Sequence, residues 1–185
     1  DTAPTWSTAA GALNITKQCS DASGISDAQA LFPVASDNCD PNVLDIVKTS
    51  GAFVVGSCPA SGSYTNTWVV TDACGNTTTH IQVITVQDNS NPTFVESLPT
   101  NVTVECNAVP TAITLTATDI CGTPTVTYAE VRTNGTCVNE YTLTRTWTAT
   151  DLCGNTTTHN QVITVQDNSN PTFVESLPAD EIIEC

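Results

Sequence analysis

Apolar and polar residues alternate along several short segments of the chain, as expected for strands that bury one face. The longest such segment is Tyr141–Asp151. One of its faces carries Tyr141, Leu143, Trp147 and Ala149. Threonines fill the other face, and Arg145 interrupts the apolar one, so we expect Arg145 to lie near the rim of the core. The segment predicts a long strand that covers a core containing one tryptophan.

Shorter segments of the same kind occur at corresponding places in two halves of the chain. They are Leu13–Cys19 and Asn101–Cys106, Leu31–Asp37 and Ile113–Asp119, Val43–Val47 and Thr125–Val131, and Gln82–Gln87 and Gln161–Gln166. Proline cannot donate to a strand ladder, so Pro33 predicts a bulge or an edge strand. No segment shows a helical period. Roughly six or seven short strands in each half predict an all-β fold of β-sandwich domains.

The two halves are tandem repeats. The segment Gly75–Pro99 returns as Gly154–Pro178, and only Ile81→Asn160 differs between the two copies. A period of about 80 residues is one small domain per repeat. An Asp, a polar turn, a Pro and an aromatic residue mark three domain starts, at Asp1, Asp88 and Asp167. We therefore expect repeat 1 at 1–87, repeat 2 at 88–166 and the start of a third repeat at 167–185.

Composition narrows the class of protein. Repeats of this size are near the lower limit for a self-sufficient core, and the nine cysteines among 185 residues supply staples that are typical of extracellular proteins. The net charge of −15 argues against nucleic acid, where Lys and Arg must neutralise phosphates, and favours a cationic partner. No apolar run approaches the ~20 residues that span a bilayer. No signal peptide is visible at Asp1, so we expect that it was removed or that the segment lies within a longer precursor.

Several motifs together carry a resemblance to a known family. Repeat 2 contains a Val-Glu-Cys strand, Ala-Thr-Asp-x-Cys, Arg-Thr-Trp-Thr-Ala-Thr-Asp-x-Cys-Gly-Asn and a closing Gln-x-Ile-Thr-Val-x-Asp. This set resembles the hyalin-type, immunoglobulin-like repeats of very large bacterial surface proteins, including gliding-motility adhesins. Repeat 1 departs from the pattern at Pro33 and at Trp68–Asp72. The resemblance implies a secreted, cell-surface, multi-repeat stalk or adhesin, and it implies no ligand.

The cysteines fall four to a repeat, and four cysteines allow three connectivities. Cys137 and Cys153 lie near opposite ends of the long strand, which disfavours a bond between them because a disulfide needs Cα atoms within about 7 Å. In an immunoglobulin-like strand order, the second and sixth strands end at one pole. That order predicts the pairs Cys39–Cys74, Cys121–Cys153, Cys19–Cys58 and Cys106–Cys137, and leaves Cys185 for a following repeat. Zinc is the alternative, but the spacings lack the close cysteine pairs of structural zinc sites.

Aspartates precede two cysteines of each repeat by two residues. We expect Asp88, Asp119 and Asp151 to converge at the junction between the repeats, with Asp1, Asp37 and Asp72 forming the analogous set one domain earlier. Three carboxylates with carbonyls nearby suit Ca²⁺, and the Asp-Asn-x-x-Pro linker resembles those of calcium-rigidified cadherin-like arrays. The alternative is that these side chains only cap turns.

Modification signals are numerous. Asn-x-Ser/Thr sequons occur at Asn14, Asn76, Asn101, Asn134 and Asn155. Thr2 lies in an Asp-Thr-Ala sequence that resembles the O-glycosylation signal of secreted Bacteroidetes proteins. Chance sequons are also expected in a chain so rich in Thr and Asn.

The function that follows is structural. We expect a disulfide-stapled stalk or filament of a surface adhesin, whose partners are neighbouring repeats, with lateral or end-to-end self-association. A glycan- or surface-binding module in each repeat is the alternative. We expect no enzyme, because His80 and His159 have no evident catalytic partner and are expected at the surface.

Overall fold

The computed structural model describes residues 2–39 and 45–175, and these residues form β-sheets. Repeat 1 contributes seven strands and one helix. They are β1 (Thr5–Trp6), β2 (Ile15–Gln18), α1 (Ala22–Ala30), β3 (Ala35–Ser36), β4 (Asp45–Ser50), β5 (Val54–Val55), β6 (Gly62–Thr71) and β7 (Thr77–Gln87).

Repeat 2 and the residues that follow it contribute six strands to the part of the chain that is described. They are β8 (Thr93–Phe94), β9 (Val102–Glu105), β10 (Ala117–Thr118), β11 (Thr125–Asn134), β12 (Tyr141–Thr150) and β13 (Thr156–Gln166). The expected number of strands per repeat is therefore confirmed. Residues 176–185 of the expected third repeat lie outside the described residues, as do Val43 and Leu44 of the expected strand Val43–Val47.

Each repeat has one large sheet and one two-stranded sheet. The large sheets have the orders β2-β7-β6-β4, with β5 also on β6, and β11-β12-β13-β9. The small ones pair β1 with β3 and β8 with β10, both antiparallel. In both repeats the first strand of the large sheet runs parallel to the last, with Ile15 opposite Ile84 and Val102 opposite Ile163. These sheets make the fold all-β and immunoglobulin-like, as the sequence predicts.

Helix α1 corrects the expectation that no helix is present. Asp21 caps it by accepting a hydrogen bond of 2.9 Å from the amide of Gly24. Such a cap satisfies one of the donors that the first turn leaves without an intrahelical partner. The apolar residues of α1 are three alanines and Ile25, and Gly24 and Ala28 are its buried residues. The helix therefore has little of the periodicity by which a helix is recognised in sequence.

Strand boundaries also differ from the alternation pattern. The last strand of each repeat begins at Thr77 or Thr156, five residues before the expected Gln, because the Thr-Thr-Thr-His segment pairs with the long strand in repeat 1. The expected strands at Leu31–Asp37 and Ile113–Asp119 shrink to β3 and β10, of two residues each. Pro33, which is buried, stands outside β3.

The chain divides into two compact units that do not follow the repeat boundaries. Unit 1 comprises residues 1–97, 115–127 and 147–158, and unit 2 comprises residues 98–114, 128–146 and 159–185. The buried apolar residues of unit 1 include Trp68, Val70, Ile84, Val86, Trp147 and Ala149. In unit 2, Leu143, Ile163 and Val165 form a cluster with Val104, Val109 and Tyr141 packed against it. The helix of the described residues is too short to cross a membrane.

Buried polar side chains occupy the same position of the long strand in both repeats. In repeat 1 the amide of Asn66 donates to the side-chain oxygens of Gln29 and Gln82, both at 2.9 Å. In repeat 2 this position is Arg145, which donates to Glu130 at 2.7 Å and to the carbonyl of Pro110 at 2.7 Å. Arg145 is 5% exposed, so it lies within the core and not at its rim. These hydrogen bonds satisfy the side-chain nitrogen of Asn66 and donors of the Arg145 guanidinium, which would otherwise be costly to bury.

Candidate site at the junction of the repeats

Two disulfides join repeat 1 to repeat 2. Cys19 bonds to Cys121 with a Cα–Cα distance of 5.9 Å, and Cys58 bonds to Cys153 with a Cα–Cα distance of 5.1 Å. All four cysteines belong to unit 1. The two bonds therefore fasten the ends of repeat 1 strands and turns to the Asp-x-Cys turns of repeat 2.

The disulfide pairs expected from an immunoglobulin-like order are wrong. The structure has neither Cys19–Cys58 nor Cys121–Cys153, because each of these cysteines is bonded across the junction. The expected Cys39–Cys74 and Cys106–Cys137 bonds are absent as well, and these four cysteines are unbonded and exposed. Strand ends that lie at one pole of a domain also face the neighbouring domain. The geometry within one repeat therefore could not distinguish a disulfide inside the repeat from a disulfide to the neighbouring repeat.

Three carboxylates meet beside the first disulfide. Asp88 follows β7, Asp119 follows β10 and Asp151 follows β12, and one oxygen from each lies within 4.8 Å of the others. Asp88 and Asp151 are buried, at 8% and 7% exposed. The convergence expected from the three strand ends is therefore present in the structure. The sulfurs of Cys19 and Cys121 also lie within 4.8 Å of an Asp88 carboxylate oxygen, but they are bonded to each other and are not thiolate ligands.

Each of these aspartates also caps a turn. Asp119 accepts a hydrogen bond of 2.8 Å from the amide of Cys121, Asp151 accepts one of 2.8 Å from Cys153, and Asp88 accepts one of 3.1 Å from Ser90. The acceptor is Oδ1 in every case. Capping and convergence therefore coexist, because a carboxylate has a second oxygen for another partner.

Asn155 holds Asp151 in place. Its side-chain amide donates to Asp151 Oδ2 at 2.8 Å and to the carbonyl of Asp88 at 3.2 Å, and its backbone amide donates to Asp151 Oδ1 at 2.8 Å. Burial raises the pKa of Asp151, but the hydrogen bonds from Asn155 and Cys153 outweigh it, so the pKa lies below its usual value. Asp151 is therefore ionised at neutral pH.

No basic side chain of the described residues forms an ion pair with this cluster. Lys17 pairs with Asp21 and Arg145 with Glu130. Lys48 donates to the carbonyl of Gln29, and Arg132 contacts Asn134, Val138 and the ring of Tyr141. Like charges a few ångströms apart raise the free energy of the folded state unless a cation joins them. Three hard oxygen donors in a partly buried site fit Ca²⁺.

The analogous set one domain earlier is described only in part. Asp37 accepts a hydrogen bond of 2.8 Å from Cys39, and Asp72 accepts one of 2.9 Å from Cys74. The side-chain amide of Asn76 is the main cause of a lowered pKa at Asp72, as expected from its bond of 2.7 Å to Oδ2. Asp1 lies outside the described residues. A metal set of Asp1, Asp37 and Asp72 stays a prediction.

The linker contacts repeat 2 in the same way that the chain start contacts repeat 1. Thr157 donates to the carbonyl of Pro92 at 2.6 Å, and Thr78 donates to the carbonyl of Pro4 at 2.7 Å. Both prolines are fully buried. The Asp-Asn-Ser-Asn-Pro linker is thus fixed at its proline end by packing and a hydrogen bond.

The sequons divide into two groups. In Asn76 and Asn155 the side-chain nitrogen, which would carry an N-linked glycan, already donates to Asp72 or Asp151. Asn14, Asn101 and Asn134 are exposed, and glycans there stay a prediction. Thr2 is also exposed, and its hydroxyl donates to Asn38 at 2.9 Å.

The histidines are not surface residues as expected. His80 is 4% exposed, and its ring centroid lies 5.4 Å from that of Trp6 and 6.1 Å from that of Trp68. His159 is half-buried, and its Nε2 lies 2.8 Å from the carbonyl of Pro99. Both extend the core of their repeat, because the last strand begins earlier than the pattern predicts.

One family model matches part of the chain. Residues 94–165 match the HYR-like domain with four cysteines. The matched region contains Cys106, Cys121, Cys137 and Cys153, so it lies within repeat 2 and supports the hyalin-type immunoglobulin-like domain expected there. No curated protein matches the chain.

Solved cadherin structures share a general likeness with the chain. They include Drosophila N-cadherin EC1-4, at 12% identity and a TM-score of 0.37 over 90% of this chain and 50% of that one. The human Desmocollin-1 ectodomain has 13% identity and a TM-score of 0.31, over 92% of this chain and 42% of that one. Protocadherin Gamma C5 EC1-3 has 14% identity and a TM-score of 0.30, over 89% of this chain and 68% of that one. The chain spans half or less of the first two, and at these scores the likeness carries no functional argument.

Two features of the junction were missed by sequence reasoning. The disulfide partners have no signal in the spacing of the cysteines. Asn155, in contrast, has one, because Asp-x-Cys-Gly-Asn occurs at both Asp72 and Asp151 and places an amide four residues after each carboxylate. That motif marks the turn that presents both a carboxylate and a cysteine to the preceding repeat.

Proposed function

We propose that the chain is part of the stalk or filament of a secreted bacterial surface adhesin, and that its repeats serve as extracellular spacers. The observation that carries the proposal is the junction, where two disulfides join successive repeats beside a cluster of three carboxylates. Disulfides persist in oxidising, extracellular compartments. A chain whose successive domains are covalently joined is suited to act as a spacer that holds a distal region away from the cell. Its partners are then its own neighbouring repeats.

Calcium is the second part of the proposal. Asp88, Asp119 and Asp151 would each supply one carboxylate oxygen to Ca²⁺, and water or carbonyl oxygens would complete the six to eight ligands. The cation would remove the repulsion among the three carboxylates and order the polar residues before Pro92. Asp1, Asp37 and Asp72 would form the equivalent site toward a preceding repeat, in which Asp1 stands for Asp88.

Calorimetry of the full chain tests the calcium site. We expect one binding event at the junction, with a higher melting temperature in calcium than in chelator, because a ligand that binds only the folded state stabilises it. Asp119→Asn should weaken that event at least tenfold and keep the turn cap, since the asparagine oxygen can still accept from Cys121. Hydrogen exchange at Asn89–Asn91 should slow when calcium is added.

The control is Asp167→Asn. Asp167 begins the same Asp-Asn-Ser-Asn-Pro sequence and caps Ser169 as Asp88 caps Ser90. It lies outside the cluster of three, so this change should leave the junction event intact. An absence of binding heat in the parent chain, or an Asp119→Asn variant that binds as the parent does, would reduce these aspartates to turn caps.

A further inference from the structure

The two disulfides follow a rule in terms of repeat position. Repeat 1 has its first to fourth cysteines at Cys19, Cys39, Cys58 and Cys74, and repeat 2 has them at Cys106, Cys121, Cys137 and Cys153. The observed bonds join the first cysteine of repeat 1 to the second of repeat 2, and the third of repeat 1 to the fourth of repeat 2. Repeat 1 therefore uses its first and third cysteines toward the repeat that follows, and repeat 2 uses its second and fourth cysteines toward the repeat that precedes.

The unbonded cysteines are the ones that this rule leaves over. Among the described residues they are Cys39 and Cys74, the second and fourth of repeat 1, and Cys106 and Cys137, the first and third of repeat 2. The first two would face a preceding repeat and the last two a following one. All four are exposed.

The backbone around the unbonded cysteines matches the backbone around their bonded counterparts. The amide of Cys39 donates to Asp37 as that of Cys121 donates to Asp119, both at 2.8 Å. The amide of Cys74 likewise donates to Asp72 at 2.9 Å, as that of Cys153 donates to Asp151 at 2.8 Å. The pair toward a preceding repeat is thus held in the turns that form disulfides at the observed junction.

The pair toward a following repeat matches as well. The amide of Cys106 donates to the carbonyl of Gln166 at 3.0 Å, as that of Cys19 donates to Gln87 at 2.8 Å. The carbonyl of Cys137 accepts from Glu140 at 3.1 Å, as that of Cys58 accepts from Ser61 at 3.0 Å. The four unbonded cysteines therefore keep the backbone hydrogen bonds of their bonded counterparts, although they have no disulfide partner.

We infer that these four cysteines are disulfide sites for adjacent repeats of the same kind. Cys106 and Cys137 bond to the second and fourth cysteines of the following repeat, and Cys39 and Cys74 bond to the first and third cysteines of the preceding one. Each bond forms when two thiols give two protons and two electrons to a small-molecule disulfide such as oxidised glutathione, which leaves as two thiols. The inference rests on the tandem-repeat organisation of the proposed function and is independent of calcium.

A lengthened chain tests the inference. In this three-repeat chain, residues 88–166 are followed directly by a second copy of themselves. The parent chain and the three-repeat chain both carry Cys185→Ser, which removes the cysteine outside the described residues. Both are refolded with oxidised and reduced glutathione in the presence of a calcium chelator. Free thiols are then alkylated with N-ethylmaleimide, and peptides are mapped without reduction.

We expect labelling of the parent chain at Cys39, Cys74, Cys106 and Cys137. In the three-repeat chain, Cys106 and Cys137 of the original repeat should lose the label and appear bonded to Cys121 and Cys153 of the added copy. The label should move to Cys106 and Cys137 of that copy. A bond from Cys106 to Cys137 within one repeat, or continued labelling of the original pair, would overturn the inference.

A matched variant keeps the test sharp. Cys106→Ser with Cys137→Ser in the original repeat of the three-repeat chain should leave Cys121 and Cys153 of the added copy open to labelling. If those two bond to each other instead, partner choice is not set by the neighbouring repeat and the inference is wrong. Since chelator is present throughout, a failed calcium site leaves these outcomes unchanged.

Discussion

Gly75 and Gly154 have the same left-handed backbone conformation, with φ of 89° and 90°, at the same place in the two repeats. Each follows a cysteine in the Asp-x-Cys-Gly-Asn turn, and a Cβ built at either position has nothing within 4 Å. The requirement for glycine is therefore a backbone requirement and not one of space. This turn aims Cys153 at the preceding repeat.

Gly154→Ala isolates that backbone requirement. We expect the free energy of unfolding to fall by about 1–2 kcal/mol, the usual cost of a left-handed conformation for a residue with a Cβ. Urea unfolding under oxidising conditions measures it. Gly154→Asn is the control and should lose less, since asparagine visits this region more readily. Equal losses for the two variants would contradict the argument.

The junction disulfides contribute strongly to stability. Cys58→Ser with Cys153→Ser should lower the free energy of unfolding by about 2–5 kcal/mol, because the bond closes a loop with a sequence separation of 95. Denaturant unfolding without reductant is the measurement. The control is Cys39→Ser with Cys74→Ser, which removes two unbonded cysteines and should change stability by less than about 0.5 kcal/mol. Similar losses in both double variants would contradict the observed bonds.

Acid should loosen the Asp-x-Cys-Gly-Asn turns. The pKa values of Asp72 and Asp151 are lowered in the folded chain, so these carboxylates stabilise it above their unfolded pKa. That contribution is lost as pH falls through the folded pKa. We expect the melting temperature to drop as the pH is lowered from 7 into the range in which the two carboxylates become protonated.

Asn155→Ala should move the onset of that loss to higher pH. The change removes a side-chain donor to Asp151, so the carboxyl pKa should return toward its usual value. Carboxyl chemical shifts followed by NMR measure it directly, and Asn76→Ala should have the same effect on Asp72. A titration of Asp151 that is unchanged in Asn155→Ala would show that the backbone amides alone set its pKa.

The buried hydrogen bonds of Arg145 should contribute to the stability of the folded chain. Arg145→Leu leaves the carbonyl of Pro110 without its donor and leaves the carboxylate of Glu130 with the Tyr128 hydroxyl as its donor. We expect a loss of about 1–3 kcal/mol in stability. The pKa of Glu130, which Arg145 holds below its usual value, should rise. Arg132→Leu is the control, since its guanidinium is exposed over the Tyr141 ring. The loss of stability in Arg132→Leu should stay near the roughly 0.5–1 kcal/mol of an exposed cation–π contact.

The sequence allowed the repeats, the long strand and the meeting of three aspartates to be predicted. Trp147 and Ala149 alternate with threonines, so the buried face of β12 follows from the period of a strand. Asp88, Asp119 and Asp151 each end or follow a strand, and the direction of those strands determines the pole at which they meet. Such inferences need only local pattern and chain direction.

Other features depend on contacts that no local pattern encodes. Ala22–Ala30 becomes helical with few apolar residues, and its helix is fixed by the Asp21 cap and by contacts of Ala28 with the sheet. His80 is buried because Trp6, far away in sequence, packs against it. The choice between Cys58 and Cys121 as the partner of Cys19 depends on the neighbouring repeat, whose position the sequence of one repeat does not contain.

The Cys19–Cys121 disulfide changes how tension would travel along the chain. Pulling on the two ends would transmit load from Cys19 to Cys121 through a single sulfur–sulfur bond, which bypasses a sequence separation of 102. Most of the core of repeat 1, including Trp68, would then carry no direct load. An array whose repeats also carry the inferred disulfides to their neighbours would have little hidden length to release, and it would behave as a nearly inextensible tether.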